Sequence, residues 1–504
     1  MDMYPLNYDK KKVTSLQSRL FGHRLKPSQT KYEYLIEFLQ VAISRKENSR
    51  TQKEYACMFP VEKAGLEDTL TYYPISRIGL KRFVFMPKSK LDGKAQVDKE
   101  AYEECVRVLE KNVQGGNAIS KKNSIVIIQN LLDGFSAVNQ NRSWFDQNML
   151  PICPEAILPE GMGVKTWRKK LDFQVGDPDV DYKFDFHKYT YMCRGGEIYY
   201  LHLLNAVNEF PENAPVLEKR LLDMIGSFPQ FSYLCNYVQS TWDNHMLIPF
   251  DEKEKRELSK DLGAIPLSFS ARNKYTLSEL KNFLNSKSHP FEKMEILSNG
   301  IILQMLRMMY IAASTETESN CWVIDVNCKG YESIETKKAA ITAFNHNEEI
   351  FCKYLYRGLD ELKLELDITD EQKAIKDAAN DSYRLFRKLG KTIGIIIPAT
   401  GPGMRFSLSE DVIKFLVLAI IPAKKMITLD EFIELLYVHY GMVIGPVQYR
   451  KEMESGSVKR IGDLSFLEEN VTAFSQKLKD CGFLRDLSDA TAIVENPYES
   501  EDEA

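Results

Sequence analysis

The chain has 504 residues, of which 44% are hydrophobic and 27% are charged, and its formal net charge is −5. This length and composition predict a folded globular protein of roughly two to four domains, and the negative charge excludes an overall field that would attract nucleic acid. Nine scattered cysteines, no recognisable signal peptide and no apolar run of roughly 20 residues predict a cytoplasmic protein with reduced thiols and without a membrane span.

The N-terminal region opens on a basic stretch. Residues 1–30 include Lys10, Lys11 and Lys12, and we expect a basic N-terminal arm whose lysines are solvated, with contact to phosphate as the alternative. Thr30 and Glu33 then have the spacing of a capping box, and the apolar residues after them recur at helical intervals. An N-terminal domain over residues 31–165, helical or mixed α/β, therefore begins with an amphipathic helix.

Two further stretches of this domain predict local structure. From Tyr72 to Pro87, β-branched and aromatic residues are interleaved with basic ones, which predicts a strand pair with a charged edge. A nucleic-acid surface is the alternative for the same residues. From Ser124 to Phe135 the chain is strongly apolar, which predicts a buried helix.

The stretch from 177 to 188 reads DPDVDYKFDFHK and holds the catalytic alternative. A metal-dependent nuclease needs carboxylates that hold the metal and a lysine beside the attacking water. Asp181 and Lys183 match an Asp-x-Lys spacing loosely, with Asp179 or Asp177 as the partner carboxylate. Because such short matches are common by chance, catalysis by Asp179, Asp181 and Lys183 is the minor hypothesis.

The middle domain, residues 166–400, is predicted to be helical. Gly195-Gly196 stands directly before a helix, where glycines allow a tight turn that packs the helix closely. Binding of an anion to the helix amides is the alternative at that position. The run from Phe291 to Ala313 predicts a long apolar helix of the core.

The sequence argues against bound cofactors and metals. Gly390-Lys391-Thr392 resembles the end of a phosphate-binding loop, but Leu385 occupies the position that requires a glycine, which excludes a P-loop. Cys321 and Cys328 lack the spacing of a zinc site, and the seven histidines form no catalytic set by spacing. Apart from the nuclease alternative, we therefore expect no cofactor, no metal and no enzyme activity.

The stretch from Arg405 to Tyr498 has the clearest pattern. Two capping-box spacings, Ser407 with Glu410 and Thr428 with Glu431, each precede an apolar helix. Pro422 ends the first of these helices and Gly441 ends the second. A third helix is predicted over 466–479 and a two-strand hairpin over 483–494, after a short charged connection. Three helices followed by a hairpin predict a winged helix-turn-helix domain over residues 401–498, with an acidic tail over 499–504.

A winged helix raises the possibility of DNA binding. The candidate contacts, through phosphates more than through bases, are Arg450, Lys451, Lys459, Arg460, Lys477 and Lys479. The third helix is expected to expose Asn470 and Lys477 among charges that nearly cancel, and the acidic tail would repel phosphate. These charges favour docking on a protein, while contact with double-stranded DNA stays open.

Several short motifs carry a resemblance to a known group of proteins. They are Asn141-Arg142-Ser143-Trp144-Phe145 with Leu150-Pro151, Arg194-Gly195-Gly196-Glu197, Gly482-Phe483-Leu484, Ser488-Asp489-Ala490 and Asn496-Pro497-Tyr498. With the terminal winged helix, they resemble accessory subunits encoded in bacterial anti-phage DNA-defence operons, and phosphorothioation-dependent restriction systems are the closest case. The resemblance implies a non-catalytic subunit that works beside separate ATPase and nuclease subunits of the same operon.

These patterns together predict a mainly α protein with small β elements, in which a multi-domain helical body is followed by a C-terminal winged helix-turn-helix. The leading hypothesis is a non-catalytic interaction or scaffold subunit of a defence complex, which uses the winged helix to contact DNA or a partner subunit. A divergent metal-dependent nuclease and a transcriptional regulator are the alternatives.

Overall fold

The computed structural model describes residues 2–22, 25, 29–62, 65–75, 77–88, 96–138, 142, 144–158, 195–246, 259–314, 321–456, 458–488 and 491–503. Over these residues the protein is mainly helical with small sheets, which confirms the predicted class.

The helices of the described ranges form most of the molecule. In chain order they are α1 (Leu16–Phe21), α2 (Lys31–Ile43), α3 (Ile78–Phe85), α4 (Gln96–Asn112), α5 (Ala118–Asp133), α6 (Gly195–Glu209), α7 (Ala214–Ile225), α8 (Pro229–Met246), α9 (Asn273–Asn285), α10 (Pro290–Ala313), α11 (Ile334–Leu362), α12 (Glu371–Asn380), α13 (Tyr383–Ile393), α14 (Glu410–Ile420), α15 (Leu429–Tyr440), α16 (Pro446–Glu454) and α17 (Ser465–Asp480).

The strands are short and form small sheets. They are β1 (Met3–Tyr4), β2 (Lys46–Asn48), β3 (Glu54–Tyr55), β4 (Leu70–Tyr72), β5 (Lys260–Asp261), β6 (Ile265–Pro266), β7 (Trp322–Val323), β8 (Ile396–Ile397), β9 (Arg405–Phe406), β10 (Met426–Thr428), β11 (Met442–Val443), β12 (Leu484–Ser488) and β13 (Thr491–Glu495). β7 and β11 pair in parallel. The other pairings are antiparallel: β1 with β6, β8 with β9, and the sheets ordered β3-β2-β4-β5 and β10-β13-β12.

The central helix is α10, and it confirms the predicted core helix. His289 caps its first turn and Pro290 occupies its first position, where a missing amide proton costs nothing. The helix packs against α2, α13 and α14. It is long and apolar enough to cross a membrane, but 94% of its most apolar window is buried inside the protein, so internal packing accounts for its apolar surface.

Close helix contacts depend on two glycines. A Cβ atom at Gly300 of α10 would overlap the ring of Phe415 on α14, so only glycine permits this approach. At the start of α6, a Cβ atom on Gly196 would lie 2.5 Å from the carbonyl oxygen of Tyr34 on α2. The Gly196 amide donates to the Glu37 carboxylate at 2.7 Å. The glycine pair therefore serves helix packing, as predicted, and this helix amide is bonded to a carboxylate of the protein itself.

The predicted strand pair between Tyr72 and Pro87 is wrong, because Tyr72 alone among the described residues of this stretch belongs to a strand. β4 ends at Tyr72, and α3 follows because the apolar residues of 78–85 recur at intervals of three and four and are buried. Arg82 on this helix is only 1% exposed, and its guanidinium lies over the rings of Trp144 and Trp242 at 4.9 and 5.3 Å from their centroids. Residue 82 therefore belongs neither to a charged edge strand nor to a nucleic-acid surface.

The predicted buried helix between Ser124 and Phe135 is a helix, but it is not buried. α5 covers this stretch and fully buries only Ile125 and Leu132. Ile128 is partly buried against the same core, while the other large aliphatic residues of the helix are exposed: Ile119, Val126, Ile127 and Leu131. Apolar composition indicated the helix correctly, but it could not show whether another element covers it.

The two ends of the chain are anchored on the body. Thr30 and Glu33 form the predicted capping box of α2. Within residues 1–30, α1 is buried along its whole length, and Lys12 forms an ion pair with Asp261 at 2.8 Å. In the acidic tail, Glu501 accepts from the ammonium of Lys293 at 2.8 Å. The tail carboxylate is therefore neutralised by a lysine of α10.

The predicted C-terminal elements are present, with two corrections. α14, α15, α17 and the β12–β13 hairpin occupy the predicted positions, and Thr428 and Gly441 cap α15 as expected. The first cap is Ser409 and not Ser407, since the Ser409 hydroxyl accepts from the amide of Val412. The charged connection contains a further helix, α16, which begins at a Gly-Pro step. Residues 405–498 are called the C-terminal unit below.

The C-terminal unit shares its core with the rest of the protein. The largest hydrophobic cluster includes residues from Tyr4 to Val494, and α14 packs against both α9 and α10. The β7–β11 pair joins the unit to residues 322–323. Asn496 donates to the Ser286 hydroxyl at 2.9 Å and to the Ile421 carbonyl at 2.8 Å. Burial of apolar surface and of polar contacts therefore holds this unit firmly on the body.

Candidate interaction surface around the C-terminal groove

An open groove lies between the first half of α11, the connection after α16 and the start of α17. Its volume is about 870 Å³, which is within the usual range for binding pockets. We call it the C-terminal groove. Apolar side chains from all three parts lie along it, among them Ala339, Ala343, Tyr449, Val458 and Phe466.

The rim of the groove carries charges of both signs. Lys338 and Lys459 provide the basic groups, while Glu335, Asp463 and Glu469 provide the acidic ones, and all five residues are exposed. Their charges nearly balance, so the rim has no strong preference for a polyanion. Within the described part of the chain, no group of three or more His, Cys, Asp or Glu side chains could hold a metal ion.

One wall of the groove is fixed by two buried polar side chains. Ser333 caps α11 through the amide of Thr336, and the Thr336 hydroxyl donates to the carbonyl of Phe466 at 3.1 Å. On α17, the Asn470 amide donates to the carbonyls of Ile324 and Ile444, both at 2.9 Å, and accepts from the amide of Val326 at 3.1 Å. These bonds hold α11 and α17 in a fixed relation, so the groove is preformed.

Asn470 was expected on the outer face of the third helix, and that expectation is wrong because it is only 3% exposed. Its position four residues after Phe466 and four before Phe474 places it on the apolar face of the helix. This spacing is the signal that could have identified it. Its hydrogen bonds then satisfy backbone groups that would otherwise be buried without partners.

The connection after α16 forms the other wall. The Tyr449 hydroxyl donates to the carbonyl of Lys459 at 3.2 Å, and the Ile461 amide lies 3.3 Å from the sulfur of Met453. Asp463 accepts from the amide of Ser465, the first residue of α17, at 2.9 Å, and this hydrogen bond lowers the pKa of the Asp463 carboxyl. Local hydrogen bonds thus shape a segment whose described residues form no helix or strand.

The six basic residues proposed as DNA contacts differ in their surroundings. Arg450, Lys459 and Arg460 are exposed beside the groove. Lys451 forms an ion pair with Glu434 at 2.6 Å, and its ammonium lies over the ring of Tyr437. The first three residues therefore present their charge to solvent, while the charge of Lys451 is largely balanced.

The two lysines of α17 are engaged with the protein. The Lys477 ammonium is half-buried and donates to the carbonyls of Leu408 and Val326, at 2.6 and 3.3 Å. Burial lowers the pKa of Lys477. Lys479 forms an ion pair with Asp486 of β12 at 2.7 Å. The third helix consequently offers little positive charge to a polyanion.

The catalytic alternative cannot be placed in the fold. Asp179, Asp181 and Lys183 lie outside the described residues. Their role as a metal-dependent nuclease site stays a prediction.

A buried ionic cluster joins α15 to the body. Glu279 on α9 is fully buried and accepts hydrogen bonds from Arg272, His439 and Tyr440 and from Gln304. Burial alone would raise the pKa of Glu279, but the positive charge of Arg272 and the hydrogen bonds outweigh it, so this pKa lies below its usual value. Sequence reasoning missed this cluster because its members are far apart in the chain.

A known protein family matches part of the chain. No curated protein and no solved structure matches the chain. Residues 405–498 match the family model described as MAD7, methylation-associated defense system protein MAD7. These are the bounds of the C-terminal stretch identified from the sequence. The C-terminal unit is therefore similar to a methylation-associated defence system protein. This similarity supports the view that the chain is a component of a bacterial anti-phage defence operon.

Proposed function

We propose that this protein is a non-catalytic interaction subunit of a bacterial anti-phage defence complex and that its C-terminal unit is a winged helix that holds a partner protein in the C-terminal groove. The main support for this proposal is an open groove of about 870 Å³ with apolar walls. Residues of the segment that matches a defence-system family form a large part of it. Preformed apolar concavities of this kind accommodate the anchor side chains of protein partners.

The order of elements supports the winged-helix assignment. α14, β10, α15 and α17 precede the β12–β13 hairpin, and β10 pairs with β13 to complete a three-stranded sheet. A helix-turn-helix followed by a β-hairpin against a short strand is the arrangement expected of this fold. The extra helix α16 is inserted between the second and third helices and contributes to the groove.

The charges favour a protein partner over DNA. A DNA-reading helix places basic or amide side chains against base edges and phosphates. On α17, Asn470 and Lys477 turn inward and Lys479 is paired, while Glu468 and Glu469 are exposed. A partner surface with apolar anchors and mixed charge would match the groove better than a polyanion would.

The identity of the partners follows from the resemblance only. Subunits of the same operon, with an ATPase and a nuclease among them, are the proposed partners. The resemblance noted from the sequence implied a phosphorothioation-dependent system, whereas the matching family is described by methylation.

A steric block of the groove tests the proposal. Thr342 on α11 is exposed and lines the groove, so Thr342→Trp would fill part of it without disturbing the core. Asn345→Trp is the matched control, since Asn345 is exposed on the same helix and does not line the groove. Each variant would be co-expressed with the products of the flanking genes and purified by an affinity tag. We expect Thr342→Trp to reduce co-purification of a partner about tenfold or more, equivalent to roughly 1.4 kcal/mol.

The control variant Asn345→Trp shows whether a loss of co-purification results from filling the groove. Asn345→Trp should retain the partner within about twofold, because a surface helix substitution away from the contact costs little. Equal behaviour of the two variants would remove the groove from the proposal. If the unmodified protein retained no flanking gene product, the proposal of an interaction subunit would fail.

DNA contact is the second candidate, because Arg450, Lys459 and Arg460 remain exposed beside the groove. Replacing all three with alanine removes this local positive charge and leaves the core intact. Fluorescence anisotropy with a labelled duplex at two salt concentrations would measure the effect. Binding that weakens with salt and is lost in the triple variant would assign the surface to DNA phosphates. Under our proposal, the unmodified protein and the triple variant bind the duplex equally weakly.

A further inference from the structure

A second surface, distant in the chain from the C-terminal unit, has the character of a binding face. On α5, Ile119, Val126, Ile127 and Leu131 are 72%, 44%, 65% and 43% exposed. Their positions lie within one face of the helix, opposite the buried pair Ile125 and Leu132. We call these four residues the α5 stripe.

An exposed aliphatic face of this kind is unusual. Single exposed apolar residues are normal on a protein surface, but contiguous ones mark interaction sites. Within the described residues, α5 packs its inner face against α3 and α4.

The charge around the stripe indicates the chemistry of its occupant. From residue 112 to residue 132 the chain carries Lys121 and Lys122 and no acidic side chain. Asn117 caps α5, so the positive end of the helix dipole lies at the same end as these lysines. The only carboxylate of the helix, Asp133, is already paired with Lys88. Lys122 lies four residues before Val126, so the stripe is an apolar surface with a positive N-terminal end inside a chain of net charge −5.

We propose that the α5 stripe binds an amphipathic helix of a partner protein whose apolar face is flanked by acidic residues. A second copy of this chain fits less well. In an antiparallel pair, Lys121 and Lys122 would approach the end of the other helix where Asp133 is neutralised, and in a parallel pair the lysines would face each other. Acidic flanks on the partner complement the lysines and the helix dipole.

Synthetic peptides provide the test. The probe is a fluorescein-labelled helical peptide of about 18 residues with leucines at intervals of three and four and glutamates on both flanks; a second peptide replaces every glutamate with lysine. Both are titrated against the full chain by fluorescence anisotropy. We expect the acidic peptide to bind about tenfold or more tightly than the basic one, and added salt to reduce this preference.

Two uncharged substitutions test whether the peptide binds to the stripe and not to another surface. Ile127→Gln removes exposed apolar area and should weaken binding of the acidic peptide about tenfold. Asn130→Gln is the matched control on the same face, and it should leave binding within about twofold. Circular dichroism and thermal unfolding would show that both variants fold, as expected for exposed positions.

A charge reversal at Lys122 tests whether the stripe attracts the acidic flanks of the partner helix. Lys122→Glu should weaken the acidic peptide and strengthen the basic one. Absence of binding by the acidic peptide, or equal losses for Ile127→Gln and Asn130→Gln, would overturn the proposal. A dimer in sedimentation that Ile127→Gln dissociates would assign the stripe to a second copy instead, which also overturns it. None of these outcomes depends on the C-terminal groove, so the two proposals stand or fall separately.

Discussion

Replacement of Glu279 by glutamine tests how the C-terminal unit is held on the body. The Glu279 carboxylate is fully buried and accepts five hydrogen bonds, two of them from Arg272 and the others from Gln304, His439 and Tyr440. Glutamine keeps one oxygen acceptor of two, and its amide group would face donors. Two or three of the five hydrogen bonds would then lose their acceptor oxygen, at about 1–3 kcal/mol each.

The positive charge of Arg272, the ion-pair partner of Glu279, adds to this cost. Arg272 is 1% exposed and would remain buried without its counter-ion. Removal of one partner from a buried ion pair costs about 3–5 kcal/mol, which agrees with the count of lost acceptors. Such a loss is a large fraction of the stability of a typical domain. We therefore expect Glu279→Gln to destabilise the protein by about 3–5 kcal/mol.

Urea unfolding followed by tryptophan fluorescence would measure the change in the free energy of unfolding. Trp322 is a suitable reporter because it pairs with the strand that directly follows α15. Glu349→Gln, at an exposed position of α11, is the control and should cost less than about 0.5 kcal/mol. The double variant Glu279→Gln with Arg272→Gln should cost much less than the sum of the two single variants.

The pH dependence of stability provides an independent test of the contribution of the Glu279 carboxylate. Because the pKa of Glu279 is lowered in the folded protein, its contribution to stability is present above its unfolded pKa of about 4.3 and is lost as the pH falls through the folded pKa. The difference between the protein and the Glu279→Gln variant should therefore shrink in acid. A cost below about 1 kcal/mol at neutral pH, or strict additivity in the double variant, would refute the reasoning.

Three further substitutions have defined outcomes. Gly300→Ala should destabilise the protein in thermal unfolding, because its overlap with Phe415 costs about 1–3 kcal/mol and outweighs a gain in helix propensity of about 1 kcal/mol; a raised melting temperature would contradict this. Burial, aided by the positive charge of Arg272, lowers the pKa of His202 to about 3. Relative to His202→Gln, the protein should therefore lose about 1.4 kcal/mol of stability per pH unit below about pH 6.5. Stability profiles of the two proteins that run parallel down to about pH 4 would disprove this prediction. Burial lowers the pKa of Lys46 to about 7, so stability should rise by about 1.4 kcal/mol per pH unit from about pH 7 to about pH 10 relative to Lys46→Met, and equal slopes would count against that assignment.

The sequence by itself determined features that depend on neighbours in the chain. The capping box of Thr30, the caps Thr428 and Gly441 around α15, and the order of α14, α15, α17 and the hairpin were all predictable. Each is set by side chains within a few residues of the backbone groups they satisfy. The apolar run that forms α10 was predictable for the same reason, since periodicity is a local property.

Only the tertiary structure decided which faces are covered. Arg82 is buried because Trp144 and Trp242 enclose it, and Lys477 turns inward because the carbonyl of Leu408 lies beside it. At α5 the prediction of burial was wrong in the opposite sense, because no element within the described residues covers its outer apolar face. Burial depends on segments tens to hundreds of residues away, and the local pattern of one helix carries no information about which segment will pack against it.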